Sequence, residues 1–127
     1  MEGYKTTIST VSKELGAVER IKLKDTTDAI ALDNETRICT EVIIDLAYWA
    51  VLNIHNENAN ENKDYVKYVF VSKEGTKYTT GSEALWSAFT DIADEMAEEG
   101  IDTFAIKCYR KDSKNRAGKQ FLTCSLA

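Results

Sequence analysis

Residues 40–54 read TEVIIDLAYWAVLNI, the longest apolar stretch of the chain, and the fold turns on whether this run is a strand or a helix. Its β-branched and aromatic side chains fit a pleated, half-buried surface and favour a strand that bends along its length. The helical alternative stays open, because Ile44, Tyr48, Val51 and Leu52 also fall at helical spacing. If the run is a strand, Tyr48 and Trp49 point to opposite faces and one ring looks outward. Either ring can stack a base, and core packing is the better role for Trp49.

Downstream, residues 53–63 (NIHNENANENK) read as an Asn/Glu-rich surface loop. Tyr65 to Val71 is a strand by composition and period. Lys73-Glu74-Gly75-Thr76 is a turn in which glycine supplies positive φ, and 77–79 return as the hairpin partner. Ser82 then opens the clearest helix, 82–99, with Glu83 in its first turn and Gly100 just past its end. Leu85, Phe89, Ile92 and Met96 form one apolar stripe along it. Two further strands, 103–110 and 119–126, close the chain as a hairpin around the loop at Gly118.

Upstream the signals are weaker. Residues 18–24 (VERIKLK) alternate apolar and charged at period two, the pattern of a half-buried strand. Residues 25–35 read as a loop with a turn of helix near 27–32, and residues 4–16 as a frayed arm or a short first strand. The resulting expectation is one β-rich α+β domain over 1–127. Its architecture is a five-stranded barrel of the oligonucleotide/oligosaccharide-binding (OB) type, with one main amphipathic helix.

Composition narrows the function. At 127 residues and 43% apolar content the chain has material for one core. Proline is absent, where average usage predicts about six, so a single compact unit without a rigid linker is expected. No apolar run approaches the roughly 20 residues that span a bilayer, and residues 1–6 lack the layout of a signal peptide. Membrane association is not expected. Three cysteines without CxxC spacing indicate free thiols in a reducing cytoplasm.

Catalytic signals are missing. No GxSxG, P-loop or GxGxxG motif occurs. His55 is the only histidine, and a lone histidine without a partner at ligand spacing does not define a metal site. Neither an enzyme nor a cofactor is expected.

Charge is the stronger clue. The formal net charge is −5, which opposes tight duplex binding through bulk attraction. Yet residues 82–100 hold six acids and no base, while residues 101–127 hold six bases and two acids. On the 103–110 strand, Phe104, Ile106 and Cys108 share the core face and leave Lys107 and Tyr109 outside. Tyr65 and Lys67 repeat that pairing of ring and ammonium, which suits base stacking beside a phosphate contact. Tyr78 follows on the next strand. The loop 110–119 adds Arg110, Lys111, Lys114, Arg116 and Lys119 against Asp112 alone. Tyr65, Lys67, Tyr78, Lys107, Tyr109, Lys114, Arg116 and Lys119 are therefore the candidate nucleic-acid contacts.

Two stretches carry a resemblance. YVFVSKEGTKYTTGSEALWSAFTDI (68–92) and FAIKCYRKDSKNRAGKQFLTCSL (104–126) resemble the single-stranded-DNA-binding proteins of phages of Gram-positive bacteria. The matching positions are Gly75, Tyr78, Thr80, Ser82, Phe89, Ile92, Ser113, Lys114, Gly118, Lys119 and Phe121. The resemblance implies an OB-like barrel, single-stranded DNA as partner, and work in phage replication or recombination in the host cytoplasm. The strongly acidic helix and the Asn/Glu loop depart from the family pattern. A rival reading follows from that helix: a small phage inhibitor that binds a host defence protein by imitating nucleic-acid charge.

Overall fold

A computed structural model describes residues 4–56, 64–112 and 120–127 of the chain. Ten elements follow in order: β1 (Tyr4–Val11), α1 (Ala17–Lys24), β2 (Ile30–Ala31), α2 (Leu32–Ile38), β3 (Glu41–Asn56), β4 (Asp64–Ser72), β5 (Lys77–Thr80), α3 (Glu83–Glu98), β6 (Ala105–Asp112) and β7 (Gln120–Leu126). The class is the expected β-rich α+β. The expected count of five strands and one main helix is corrected to seven strands and three helices among the described residues.

The 40–54 run is a strand, and it organises everything else. Residues 41–45 of β3 pair with β6. From Leu46 onward β3 pairs with β4, and from Ala50 to Asn56 its other edge takes β1. The register shifts between Leu46 and Tyr48, a bulge at Ala47 that bends the strand. Before it, Val42, Ile44 and Leu46 face the inner core; after it, Trp49 does. One extra residue thus swaps the facing parity and lets β3 serve two halves of the sheet. The sheet runs β2-β5-β4-β3-β6-β7 and curls into a half-barrel.

Helix α3 fills the concave side. Ser82 Oγ accepts from the Leu85 N–H at 3.2 Å. At the other end the Gly100 N–H donates to Ala97 O and the Ile101 N–H to Met96 O, with Gly100 at φ +74°. This is the paired closure that favours glycine one residue past a helix. Leu85 and Phe89 are fully buried, and Phe89 lies at the centre of the ring set. Its centroid is 4.8 Å from Phe70, 5.0 Å from Trp49, 5.3 Å from Trp86 and 6.0 Å from Phe104. A second, smaller core lies on the outer face of β3 and β4, where Leu52, Ile54, Val69 and Val71 meet Leu15 and Leu23.

Several local expectations are overturned. Residues 18–24 form α1 rather than a strand. Only Leu23 of that segment is buried, while Val18 and Ile21 are 65% and 69% exposed, so no two-residue apolar face is used. Glu19 in the first turn and Lys22 and Lys24 in the last complement the helix dipole. The Lys77 ammonium donates to the carbonyls of Lys22 and Asp25 at the helix end. Of the two readings of residues 4–16, the first strand is the one that holds: β1 lies there, paired with β3. The loop expected at 25–35 contains β2 and the first half of α2. Its order comes from afar: Arg110 Nη2 donates to Asp33 O at 2.7 Å, and its Nε to Thr36 Oγ1 at 3.1 Å. The loop expected from residue 53 starts later, because β3 remains paired on both edges through His55. The rest of that loop, 57–63, lies outside the described residues.

Two of the cysteines, Cys108 and Cys124, are buried directly opposite each other on β6 and β7. Burial pushes the Cys124 thiol up to about 12, and burial followed by the neighbouring Cys124 raises Cys108. Both stay protonated at neutral pH and react poorly. Cys39 is exposed. Titration with a thiol-exchange reagent at neutral pH should therefore modify one cysteine quickly in the native protein and all three after denaturation. Rapid modification of all three in the native state would contradict this burial.

Candidate nucleic-acid interface

The outer face of the half-barrel is the side away from α3, and four of the five expected contacts among the described residues lie on it. On β4, Tyr65 is 39% exposed and sits opposite Ile54, with the half-exposed Lys67 opposite Leu52. On β6, Lys107 and Tyr109 are half-exposed beside Ile43 and Glu41. Lys107 Nζ lies 5.8 Å from the Tyr109 ring centroid and 3.8 Å from Glu41 Oε2. A cation held against a ring face is attracted by its quadrupole, so this pair is preformed. A shallow cavity of about 180 Å³ lined by Thr40, Glu41, Lys107, Tyr109 and Arg110 adjoins it.

Tyr78 goes elsewhere. It stands opposite Phe70 and packs against the inner core. Its hydroxyl is raised by burial first, then by Glu74, Glu35 and Cys108. Lys114, Arg116 and Lys119 lie outside the described residues. Arg110, counted with that basic loop in the sequence, spends its guanidinium on α2. The acids Asp91, Asp94, Glu95, Glu98 and Glu99 are exposed along α3, as a solvated face requires.

Sequence reading missed a cationic stretch between the two tyrosine–lysine pairs. The bulge at Ala47 settles the ambiguity at 48–49: Trp49 turns into the inner core, and Tyr48 turns to the outer face, half-exposed at the edge of the second core. Lys13 Nζ lies over the Tyr48 ring at 5.8 Å from its centroid. Two cavities meet there, both touching Ala47 and Lys73. One, about 490 Å³, is lined by Lys22, Asp25, Tyr48, Lys73 and Lys77 among others. The second, about 500 Å³, includes Ser12, Lys13, Asp102 and Thr103. Lys73 is held 3.5 Å from Asp45 Oδ1, and its side chain stays 53% exposed. Burial, then Glu19, raises the Tyr48 hydroxyl, so it remains a neutral ring at physiological pH. Nothing local in the sequence joins Lys13, Tyr48 and Lys73. The pairing of β1 with β3 brings Lys13 to Tyr48, and the pairing of β3 with β4 brings Lys73.

Among the described residues no group of histidine, cysteine, aspartate and glutamate side chains is arranged to hold a metal ion. Among the same residues no helix is long and apolar enough to cross a membrane. No curated protein and no solved structure matches the chain significantly. A family profile does, that of the Phage Single-stranded DNA-binding protein, over residues 7–127. The match takes in β3 and most of β1 as well as the C-terminal half, so the half-barrel is matched nearly whole. The chain belongs to the phage single-stranded DNA-binding protein family.

Proposed function

We propose that the protein binds single-stranded DNA without catalysis, along the outer face of an OB-like half-barrel, in phage replication or recombination. Five of its strands, β3 to β7, with α3 between the third and fourth, carry the order expected of an OB barrel. The observation that carries the reading is the outward Tyr48 under Lys13, between two lysine-lined cavities. In this reading Tyr109 with Lys107, Tyr48 with Lys13 and Lys73, and Tyr65 with Lys67 form three stations along one face. At each, a ring stacks a base and an ammonium meets the adjoining phosphate. Every base has a π-face, so such a track tolerates any sequence. Lys114, Arg116 and Lys119 extend it with phosphate contacts from the β6–β7 hairpin. At two of the stations, Tyr48 with Lys13 and Tyr109 with Lys107, the ring is already paired with a cation and loses little freedom on binding, which favours affinity.

Alanine at Tyr48, Tyr65 or Tyr109 should each weaken binding of labelled oligo-dT by about 1–3 kcal/mol, read by fluorescence anisotropy. Circular dichroism should be unchanged, and duplex of equal length should compete poorly. Wild-type affinity in all three variants would remove ring stacking on this face from the account.

A further inference from the structure

The inner face of the sheet holds a feature that the outer track leaves unused. Four rings stack in a column that starts in the core and runs outward. Phe104 lies 6.0 Å from Phe89, Phe89 5.3 Å from Trp86, and Trp86 4.5 Å from Tyr68, the last pair only 7° from parallel. Phe89 is fully buried, whereas Tyr68 is half-exposed. Trp86 sits in the first turn of α3, so the helix covers the sheet as far as Tyr68 and no farther. The next inward-facing residue of β4, Val66, is 40% exposed, and its cross-strand partner Asn53 is exposed too. A depression of about 340 Å³, lined by Asn53, Asp64, Tyr65 and Val66, opens one inward-facing position along β4 from Tyr68. That volume lies at the small end of the range for ligand pockets.

We infer that the open end of this column is a nucleobase site, in which an unpaired base stacks on Tyr68 beside Val66 and meets the Asn53 amide. The inference rests on the single-strand-binding reading and adds a contact on the opposite face of β4. Several observations select a base over other occupants. The outermost pair, Trp86 and Tyr68, is already nearly parallel, so one more planar group continues the stack without rearrangement. The Asn53 side chain carries both a donor and an acceptor, as a base edge requires. The ionisable groups there are mainly acids: Asp64 is exposed with one oxygen 2.6 Å from His55 Nδ1, and Glu83 is near enough to help raise the Tyr68 hydroxyl after burial. A phosphate would be repelled, whereas an uncharged base is not. A second protein surface finds little to bury, since Tyr65 and Val66 are the exposed large apolar side chains among the described residues of the depression, each about two-fifths exposed. A strand whose phosphates follow the lysines of the outer track could turn one base over the edge of the β3–β4 ribbon into this site.

The test uses the whole protein with oligo-dT in which iododeoxyuridine replaces some thymines. Irradiation couples that base to an aromatic ring stacked on it. Peptide mapping of the wild-type complex should find a cross-link at Tyr68. Cross-links confined to Tyr48, Tyr65 and Tyr109 would overturn the site while leaving the outer track intact. Tyr68→Phe keeps the ring and should bind as wild type. Tyr68→Leu keeps Trp86 covered and removes the stack, so binding should weaken roughly 5- to 150-fold. Wild-type affinity of the folded Tyr68→Leu protein would equally overturn it. No binding of oligo-dT by the wild type would defeat the single-strand reading itself, and this site with it.

Discussion

Replacing Phe89 by alanine is expected to destabilise the protein by about 3–5 kcal/mol, the usual cost of deleting a buried phenyl ring. The ring is fully buried and contacts four other aromatic rings at centroid separations of 4.8–6.0 Å. Each such pair adds about 0.5–1.5 kcal/mol beyond simple burial. A domain of this size has only about 5–15 kcal/mol in total, so one substitution removes a large share. The midpoint of urea unfolding should fall by about 1–3 M at a typical dependence on denaturant. Phe89→Leu, which retains most of the volume, should cost clearly less. An alanine variant that loses under about 1 kcal/mol would mean the surrounding rings collapse into the space. Single-strand binding should fall along with stability, because Trp49, held against Phe89, fixes the turn that directs Tyr48 outward.

Neutralising Lys114, Arg116 and Lys119 together to glutamine is expected to flatten the salt dependence of binding by about two units of slope. Each phosphate contact with a single strand contributes about 0.7 to that slope through counterion release. Between 50 and 200 mM salt the three contacts account for roughly a 20-fold change in affinity. The hairpin that carries them is anchored on both sides: Asp112 pairs with Gln120, whose Nε2 donates to Asp112 Oδ1 at 3.1 Å. Stability should therefore be nearly unchanged. Anisotropy titrations at several salt concentrations decide the matter. A slope equal to that of the wild type would show that these side chains are solvated in the complex.

Much of the C-terminal half was legible because its signals are local. A serine cap, a stripe at helical spacing and a glycine with φ +74° describe α3 within one stretch of chain. The same holds for the β4–β5 turn, where Gly75 has φ +92°. Alternation on β6 separated buried Ile106 and Cys108 from half-exposed Lys107 and Tyr109. The misreadings fall where partners are distant. The period-two pattern at 18–24 belongs to a helix because the sheet buries only Leu23 from it. Segment α2 looked like loop because Arg110, which donates to Asp33 and Thr36, lies 74–77 residues away.

The candidate site divides in the same way. The pairing of a lysine two residues from a tyrosine is a property of the strand alone, since both side chains must share a face. It was readable at Tyr65–Lys67 and at Lys107–Tyr109. Sequence by itself also determined the family, the β-rich class and the sorting of charge along the chain. Tertiary structure decided which of Tyr48 and Trp49 faces out, because a single-residue bulge at Ala47 reverses the parity of a strand. It turned Tyr78 toward the core and took Arg110 out of the basic loop. It also brought Lys13 to Tyr48, across a β1–β3 pairing that no local pattern specifies. Periodicity assigns a side chain to one of two faces, but which face is buried depends on what packs against it from elsewhere in the chain.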